Sequence, residues 1–364
     1  PAAKKPAAKK PAAKKPAGRK RIVPISPAMT AATRAAELNF ARFVYERQAV
    51  WLRRSRGTAA PWTTDVLLQD YVFCNVYREL DRGTVYFRSR ADARSLRTLL
   101  FASVVYRLLN KIESFVSWKD AIPSPREWPQ FKAHLVALRL RGRTIFTGAH
   151  QTSGLARYST TVDFVRAHLA RLAAALHGRL DSAEACYKVL GSIPHVGPFF
   201  AWQILCDLIE AGYVRDSENA FVALGPGAKL GIRRIYGADD LGLVETLRRR
   251  LPALFRALTL DFAAFRGRPL TLKNIEHCLC EFEKYENGMP RSRRFVSRAA
   301  LDADVVCRVC ADPSDHRDHL LLLCDLCNAA YHTTCLHSPL DAVPLGSWVC
   351  DGCAAHWAAA SCRD

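Results

Sequence analysis

The chain has 364 residues, 53 Lys plus Arg against 34 Asp plus Glu, and a formal net charge of +19. That length accommodates two domains, one with a sizeable core, and an apolar content of 49% excludes global disorder. The charge points to a polyanionic partner such as nucleic acid, and no apolar run approaches the roughly 20 residues that span a bilayer, so no membrane partner is expected. Of thirteen cysteines, seven stand in paired spacings near the C-terminus. The other six (Cys74, Cys186, Cys206, Cys278, Cys280 and Cys362) form no framework, which fits a reducing compartment where thiols bind metal. No apolar segment follows the basic N-terminus, so no signal peptide is expected, and a start at Pro1 leaves room for residues upstream.

Residues 1–20 read PAAKK three times and then PAGRK, and residues 1–21 carry nine Lys or Arg and no acid. Proline every fifth residue blocks a continuous helix and there is no apolar face to bury, so the segment is expected to be disordered. It resembles the tail of a linker histone. A flexible polycation gains affinity for DNA by releasing counterions, and nuclear import is compatible with the same composition.

After a connector at 22–29, apolar positions Leu38, Phe40, Phe43, Val44, Val50 and Trp51 recur at helical spacing over 33–54. Thr63, Thr64 and Asp65 offer an N-cap for a second helix that carries Tyr71, Phe73, Val76 and Tyr77 and ends near 81–83. Helical patterns follow at 91–116, 127–139, 160–178, 181–191, 198–212, 242–258 and 272–286. Short Thr-Val-Tyr-Phe and Thr-Ile-Phe runs are the few strand signals. The pattern predicts one mostly α domain of eight to ten helices over 30–290, with a basic linker at 291–304 and a finger at 305–355 before a tail at 356–364.

Four stretches of the helical region have chemical potential. Residues 190–204 combine an apolar residue, a Pro turn, Val196-Gly197 and an amphipathic helix. This resembles the helix-hairpin-helix of DNA repair enzymes, whose backbone N–H groups hold a DNA phosphate. His195 stands where the first hairpin glycine is usual. Gly225, Gly227 and Gly231 with Lys229 offer an anion nest before a helix, or an ordinary turn; no GxxxxGK[ST] loop occurs in the chain. Asn75, Arg78, Glu79 and Arg82 would share one helical face, as a phosphate-binding and hydroxyl-positioning group or as a salt-bridge ladder. Glu276, Cys280 and Lys284 share a face of the helix that begins at Thr271.

Taken together, Trp62–Asp65, 71–82, 145–149, 193–199, 225–228 and 275–281 resemble one family, the helical domain of the 5-hydroxymethyluracil DNA kinases, also described as alpha-glutamyl/putrescinyl thymine pyrophosphorylases. The resemblance covers about residues 35–295. It implies a fold related to the helix-hairpin-helix DNA glycosylases and the placing of phosphate on the 5-hydroxymethyl oxygen of a modified pyrimidine in DNA. Such a reaction needs a flipped base, a carboxylate to take the hydroxyl proton, and cations for the phosphates. Asn75, Arg78, Asp81, Arg82 and Glu276 are the expected catalytic residues. Val196, Gly197, Gly225, Gly227 and Lys229 are expected to bind DNA or phosphate, with ATP and Mg²⁺ as the co-reactants. Glu79, Asp81 and Glu276 all remain open as the base. A DNA glycosylase using Asp207, Glu210 or Asp216 is one alternative, and a non-catalytic DNA-binding and histone-reading module is another.

Near the C-terminus the order is Cys307-x2-Cys310, thirteen residues, Cys324-x2-Cys327, four, His332-x2-Cys335, fourteen, Cys350-x2-Cys353. Four two-ligand clasps imply two structural Zn²⁺ ions. Spacing alone leaves the pairing open. The order resembles the PHD finger, and the resemblance implies a cross-brace: Cys307, Cys310, His332 and Cys335 on one zinc, Cys324, Cys327, Cys350 and Cys353 on the other. The family takes histone H3 tails as an added strand. Asp318, Leu322, Asp325 and Asn328 are the expected tail contacts. Ala330 stands where cage-bearing fingers often carry Trp, which favours unmodified Lys4 over the trimethylated form. The whole is expected to be a nuclear protein: a multi-helix, helix-hairpin-helix (DNA glycosylase-like) domain plus a small two-zinc cross-brace finger.

Overall fold

Twelve α-helices, two 3₁₀ turns (Arg78–Leu80 and Thr333–Cys335) and two short strands make up the regular structure of the described residues of this computed structural model. Those residues are 22–71, 73–146, 154–260, 265, 268–287, 307–310, 312, 321–323, 330–340 and 350–351. The expectations for the basic tail, for 147–149, for the linker, and for Asp318, Cys324, Asp325, Cys327, Asn328 and Cys353 fall outside them.

The first helix, α1 (Ala31–Ser55), starts where the Thr30 side chain accepts the Thr33 N–H, and buries Phe40, Phe43, Val44 and Leu52. The next, α2, is only Val66–Asp70, capped by Asp65 as expected. The sequence predicts that it runs on to about residue 81; instead Tyr71 turns extended and α3 begins anew at Arg82 (Arg82–Arg90). Tyr71, Phe73, Val76 and Tyr77 favour extended backbone over helix, so little local preference opposes the break. The Thr84–Phe87 run, expected as strand, lies in α3, with Thr84 and Phe87 buried one turn apart. The predicted 91–116 helix is divided at Asn110, whose φ of 48° separates α4 (Leu96–Leu109) from α5 (Ile112–Val116).

Then come α6 (Trp128–Leu140), α7 (Leu155–His177), α8 (Ala183–Gly191), α9 (Pro198–Glu210), α10 (Pro226–Tyr236), α11 (Leu241–Ala257) and α12 (Leu272–Glu286). Almost every residue of α4 is buried, and it packs on α7 and α9 at the centre of the core. The helices α10 and α12 pack closely. A Cβ on Gly231 would stand 2.3 Å from the Leu279 carbonyl oxygen, and one on Gly227 would stand 2.7 Å from Cys280 Sγ. Both glycines are therefore accounted for by helix contact rather than by an anion nest. In the finger, β1 (Leu321–Leu323) pairs antiparallel with β2 (Ala330–His332), Leu322 opposite Tyr331. The short apolar strand expected before Cys324 is present.

Candidate functional site

The break after α2 builds the site. The backbone N–H of Asn75 donates to Asp81 Oδ1 at 2.6 Å, and Asn75 Nδ2 donates to the Leu80 carbonyl at 2.9 Å. The 75–81 loop thus closes on the Asp81 carboxylate, at the N-terminus of α3. Asn75, Arg78, Glu79 and Arg82 do not share a helical face. Arg78 turns inward and is 2% exposed; Glu79 pairs with Arg268; Arg82 faces solvent beside Glu113. The inward turn follows from ionic partners in the core, which local helix preference does not outweigh.

Those partners lie on α9, α4 and α12. Arg78 Nη2 donates to the Gln203 carbonyl at 3.3 Å and to Asp207 Oδ1 at 3.5 Å, and its Nη1 lies 3.6 Å from Glu210 Oε1. Asp207 also accepts from Arg107 at both oxygens (2.8 and 2.6 Å) and from Ser103. Lys273 lies 3.3 Å from Glu210 and 2.8 Å from Glu218. Arg47 of α1 donates to the Cys74 carbonyl, while the Cys74 N–H donates to Glu281 at 3.1 Å. Asp207 and Arg107 are thus committed to each other in the core, which leaves Asp207 poorly suited to the excision role. Glu210 is likewise held by Arg78 and Lys273, and Asp216 accepts the N–H of Ala183 at 3.1 Å.

Glu276 meets this cluster from α12. Its Oε2 accepts the Trp202 indole N–H at 3.1 Å and its Oε1 accepts the Gly225 N–H, at the start of α10, at 3.3 Å. Burial pushes its carboxyl up to about 7, against the lowering effect of those donors and of Arg78. Burial likewise pushes Asp81 up to about 6, with the Asn75 amide, Arg78 and Arg47 opposing. Glu79 differs: its own backbone hydrogen bond and Arg268 hold it below the usual range despite partial burial. Of the three carboxylates considered as base, two therefore have proton affinities near neutrality.

Buried Arg78 lies within electrostatic reach of both half-buried Asp81 and buried Glu276, while Arg82 and Lys229 are exposed. The hairpin of α8 and α9 carries Val196 buried and Gly197 exposed, with His195 at φ 64°. His195 thus adopts the left-handed conformation that a glycine would take most easily. Gly197 caps α9, and a Cβ there would meet nothing within 4 Å. Sequence reasoning gave no site role to Arg47, Arg107, Lys273 or His277. The signal for Arg107 was available: a cation amid the apolar residues that close α4 (Val104, Val105, Leu108, Leu109) must find a buried partner.

In the finger, Cys307 Sγ, Cys310 Sγ, His332 Nδ1 and Cys335 Sγ all lie within 4.8 Å of one another. Cys310 Sγ is 3.2 Å and Cys335 Sγ 3.7 Å from His332 Nδ1. Tetrahedral zinc with Zn–S of about 2.3 Å sets neighbouring sulfurs about 3.8 Å apart, so the donors fit. This is the first ligand set implied by the cross-brace. Of the second set, Cys350 is the member among the described residues, and it is buried.

A family model described as the 5-hmdU DNA kinase helical domain matches residues 35–293, and the PHD-finger model matches 307–353. The chain is 28% identical over 286 residues to "5-hmdU DNA kinase" of Bacillus phage SP10, covering 69% of this chain and 45% of that protein. It is 32% identical over 147 residues to "Methyl-CpG-binding domain-containing protein 9" of Arabidopsis thaliana, covering 40% of this chain and 6% of that protein. It is 44% identical over 52 residues to human "Remodeling and spacing factor 1", covering 14% and 4%. The chain thus spans less than half the length of each of these relatives. No solved structure matches it significantly. A PHD finger implies structural zinc, in keeping with the four converging ligands, and with the match across 35–293 the chain belongs to the 5-hmdU DNA kinase helical-domain family and carries a C-terminal PHD finger.

Proposed function

We propose that this is a nuclear, chromatin-associated protein whose helical domain places phosphate on the hydroxymethyl oxygen of a 5-hydroxymethylated pyrimidine in DNA. The observation that supports this most is that buried Arg78 lies within electrostatic reach of both Asp81 and Glu276, which come from separate segments of the family match and whose carboxyls burial pushes up to about 6 and about 7. The target base is flipped or single-stranded, because an attacking oxygen inside a stacked duplex is out of reach. The N-terminus of α9, where Gly197 at the cap position supplies no side-chain hydrogen bond, takes a backbone phosphate, in the manner of a helix-hairpin-helix.

Asp81 is the base in this reading. Its second oxygen has no partner among the described residues, whereas both oxygens of Glu276 are engaged. As the hydroxymethyl oxygen forms its bond to phosphorus, its proton passes to Asp81 and the bond from phosphorus to the leaving diphosphate breaks. ATP with Mg²⁺ is the donor assumed, and Arg82 and Lys229 are the exposed cations for its phosphates. Mass spectrometry of nucleosides from 5-hydroxymethyluracil DNA incubated with protein, ATP and Mg²⁺ tests this. A phosphorylated nucleoside supports it; released base would indicate excision; bound but unchanged DNA would indicate a binding module.

The finger addresses the protein to an unmodified histone H3 tail. The motivation is the short β1 strand with no neighbour but β2 among the described residues, together with Leu322 in it and the acids Asp318 and Asp325 and Asn328 close by in sequence. Peptide pull-downs with Lys4 unmodified or trimethylated decide this; tighter capture of the trimethylated peptide would overturn it.

A further inference from the structure

On α1 and α11, two buried glutamates hold four arginines. Glu37 of α1, with a side chain 0% exposed, lies 2.7 Å from Arg250 Nε and 3.6 Å from Arg34 Nη1, and it accepts the Tyr236 hydroxyl at 2.6 Å. Glu245 of α11, 5% exposed, accepts from Arg248 Nε at 2.7 Å and from Arg249 Nε at 2.6 Å. The arginines reach solvent where the acids do not: Arg34 is 41% and Arg249 57% exposed. Four guanidiniums against two carboxylates leave an excess of two positive charges, and it is the cations that solvent meets.

The carboxylates do more than neutralise. A loose arginine loses rotamer freedom when it grips an anion, whereas one already held by a buried acid has its planar fork oriented beforehand. Arg34 and Arg249 each carry more N–H donors than Glu37 and Glu245 engage, and a guanidinium fork matches phosphate oxygens. A strap of residues 22–29 continues the same edge. The Ile25 N–H donates to the Gly242 carbonyl at 3.3 Å, and the Thr246 hydroxyl lies 2.7 Å from the Ile25 carbonyl oxygen. A Cβ on Gly242 would stand 2.6 Å from both Ile25 Cγ1 and the Val23 carbonyl oxygen, so the docked strap requires glycine there. Thr246 is one helical turn before Arg249 and Arg250. The strap is also continuous in sequence with residues 1–21, which carry nine Lys or Arg and no acid.

We propose that the face of α1 and α11 carrying Arg34 and Arg249 is a docking surface for the phosphate backbone of duplex DNA. Charge complementarity selects this partner: closely spaced phosphates suit a pair of fixed forks and the nine cations that precede the strap alike, whatever the base sequence. The four arginines are committed to Glu37 and Glu245 rather than to the group around Asp81 and Glu276. The face therefore holds DNA whether or not the helical domain transfers phosphate, and unmodified DNA suffices to test it.

The test is fluorescence anisotropy of the full chain with unmodified duplexes of two unrelated sequences, over a series of salt concentrations. Arg34→Gln with Arg249→Gln should weaken binding equally for both sequences and make the plot of log affinity against log salt shallower by about 2. Glu37 keeps Arg250 and Tyr236, and Glu245 keeps Arg248, so the variant should melt within about 3 °C of wild type. If the double variant does not fold, Arg249→Gln alone decides, with an expected change in slope of about 1. Arg157→Gln with Arg171→Gln removes the same charge from exposed positions of α7 and should leave the slope within about 0.5 of wild type. An unchanged slope in the α1–α11 variant overturns the proposal, as does an equal loss in the α7 variant, which would reduce the effect to net charge. Weaker binding of a polyglutamate peptide with no change for DNA would overturn it in favour of an acidic protein partner.

Discussion

Arg107 on α4 grips both carboxylate oxygens of Asp207 on α9, through Nε at 2.8 Å and Nη2 at 2.6 Å. The two side chains are 4% and 0% exposed, and Ser103 completes the hydrogen bonding of the acid. A bidentate pair of this kind positions the two helices against each other, and it sets the place where Arg78 docks.

Removing one member of a buried pair leaves the other charge uncompensated. Asp207→Ala and Arg107→Ala should each lower unfolding stability by about 3–5 kcal/mol, measured by urea denaturation. Arg107→Lys should recover only part of this, since an ammonium cannot make the two-pronged contact. By contrast Arg268→Ala, which breaks the partly exposed pair with Glu79, should cost about 1 kcal/mol or less.

Glu276 makes stability depend on pH. Its carboxyl is raised from 4.5 to about 7 in the folded chain, so folding favours the protonated form. The contribution is complete below about pH 4.5 and is lost as pH rises through about 7, an effect on the order of 2–4 kcal/mol. Denaturation curves at pH 5 and pH 8 should therefore differ less for Glu276→Gln than for wild type. An equal pH dependence in the two proteins would remove the buried-acid account of this residue.

The glycines separate into two kinds. Gly231→Ala drives a methyl into the Leu279 carbonyl, and destabilisation of about 1–3 kcal/mol or more is expected from thermal melts. Gly197→Ala has open space and an ordinary φ of −73°, so its stability should stay within about 1 kcal/mol of wild type. If the hairpin receives a DNA phosphate, the same variant should nonetheless bind DNA more weakly.

Zinc content is expected to be two ions per chain, measured by elemental analysis. Cys310→Ser should reduce it to one. Chelation should unfold residues 305–355 while the far-ultraviolet circular dichroism of the helical domain remains. Loss of both signals together would show that the two parts do not fold independently.

The sequence by itself determined the helices whose apolar faces and caps agree, such as α1 with Thr30 and α12, where Thr271 and Asn274 form a reciprocal cap. It also determined the metal chemistry, because ligand type and spacing are local properties, and the convergence of Cys307, Cys310, His332 and Cys335 follows the family pattern. The tertiary structure decided the site. Helical periodicity put Asn75, Arg78, Glu79 and Arg82 on one face, but the pull of Asp207 and Glu210 on Arg78 and the closure of Asp81 on the Asn75 amide broke that helix. Those forces act between residues more than a hundred positions apart in the case of Arg78, and no local pattern encodes them. The same holds for Glu276: its place beside Trp202 and Gly225 depends on how closely α10 approaches α12, which two glycines permit and only the assembled fold reveals.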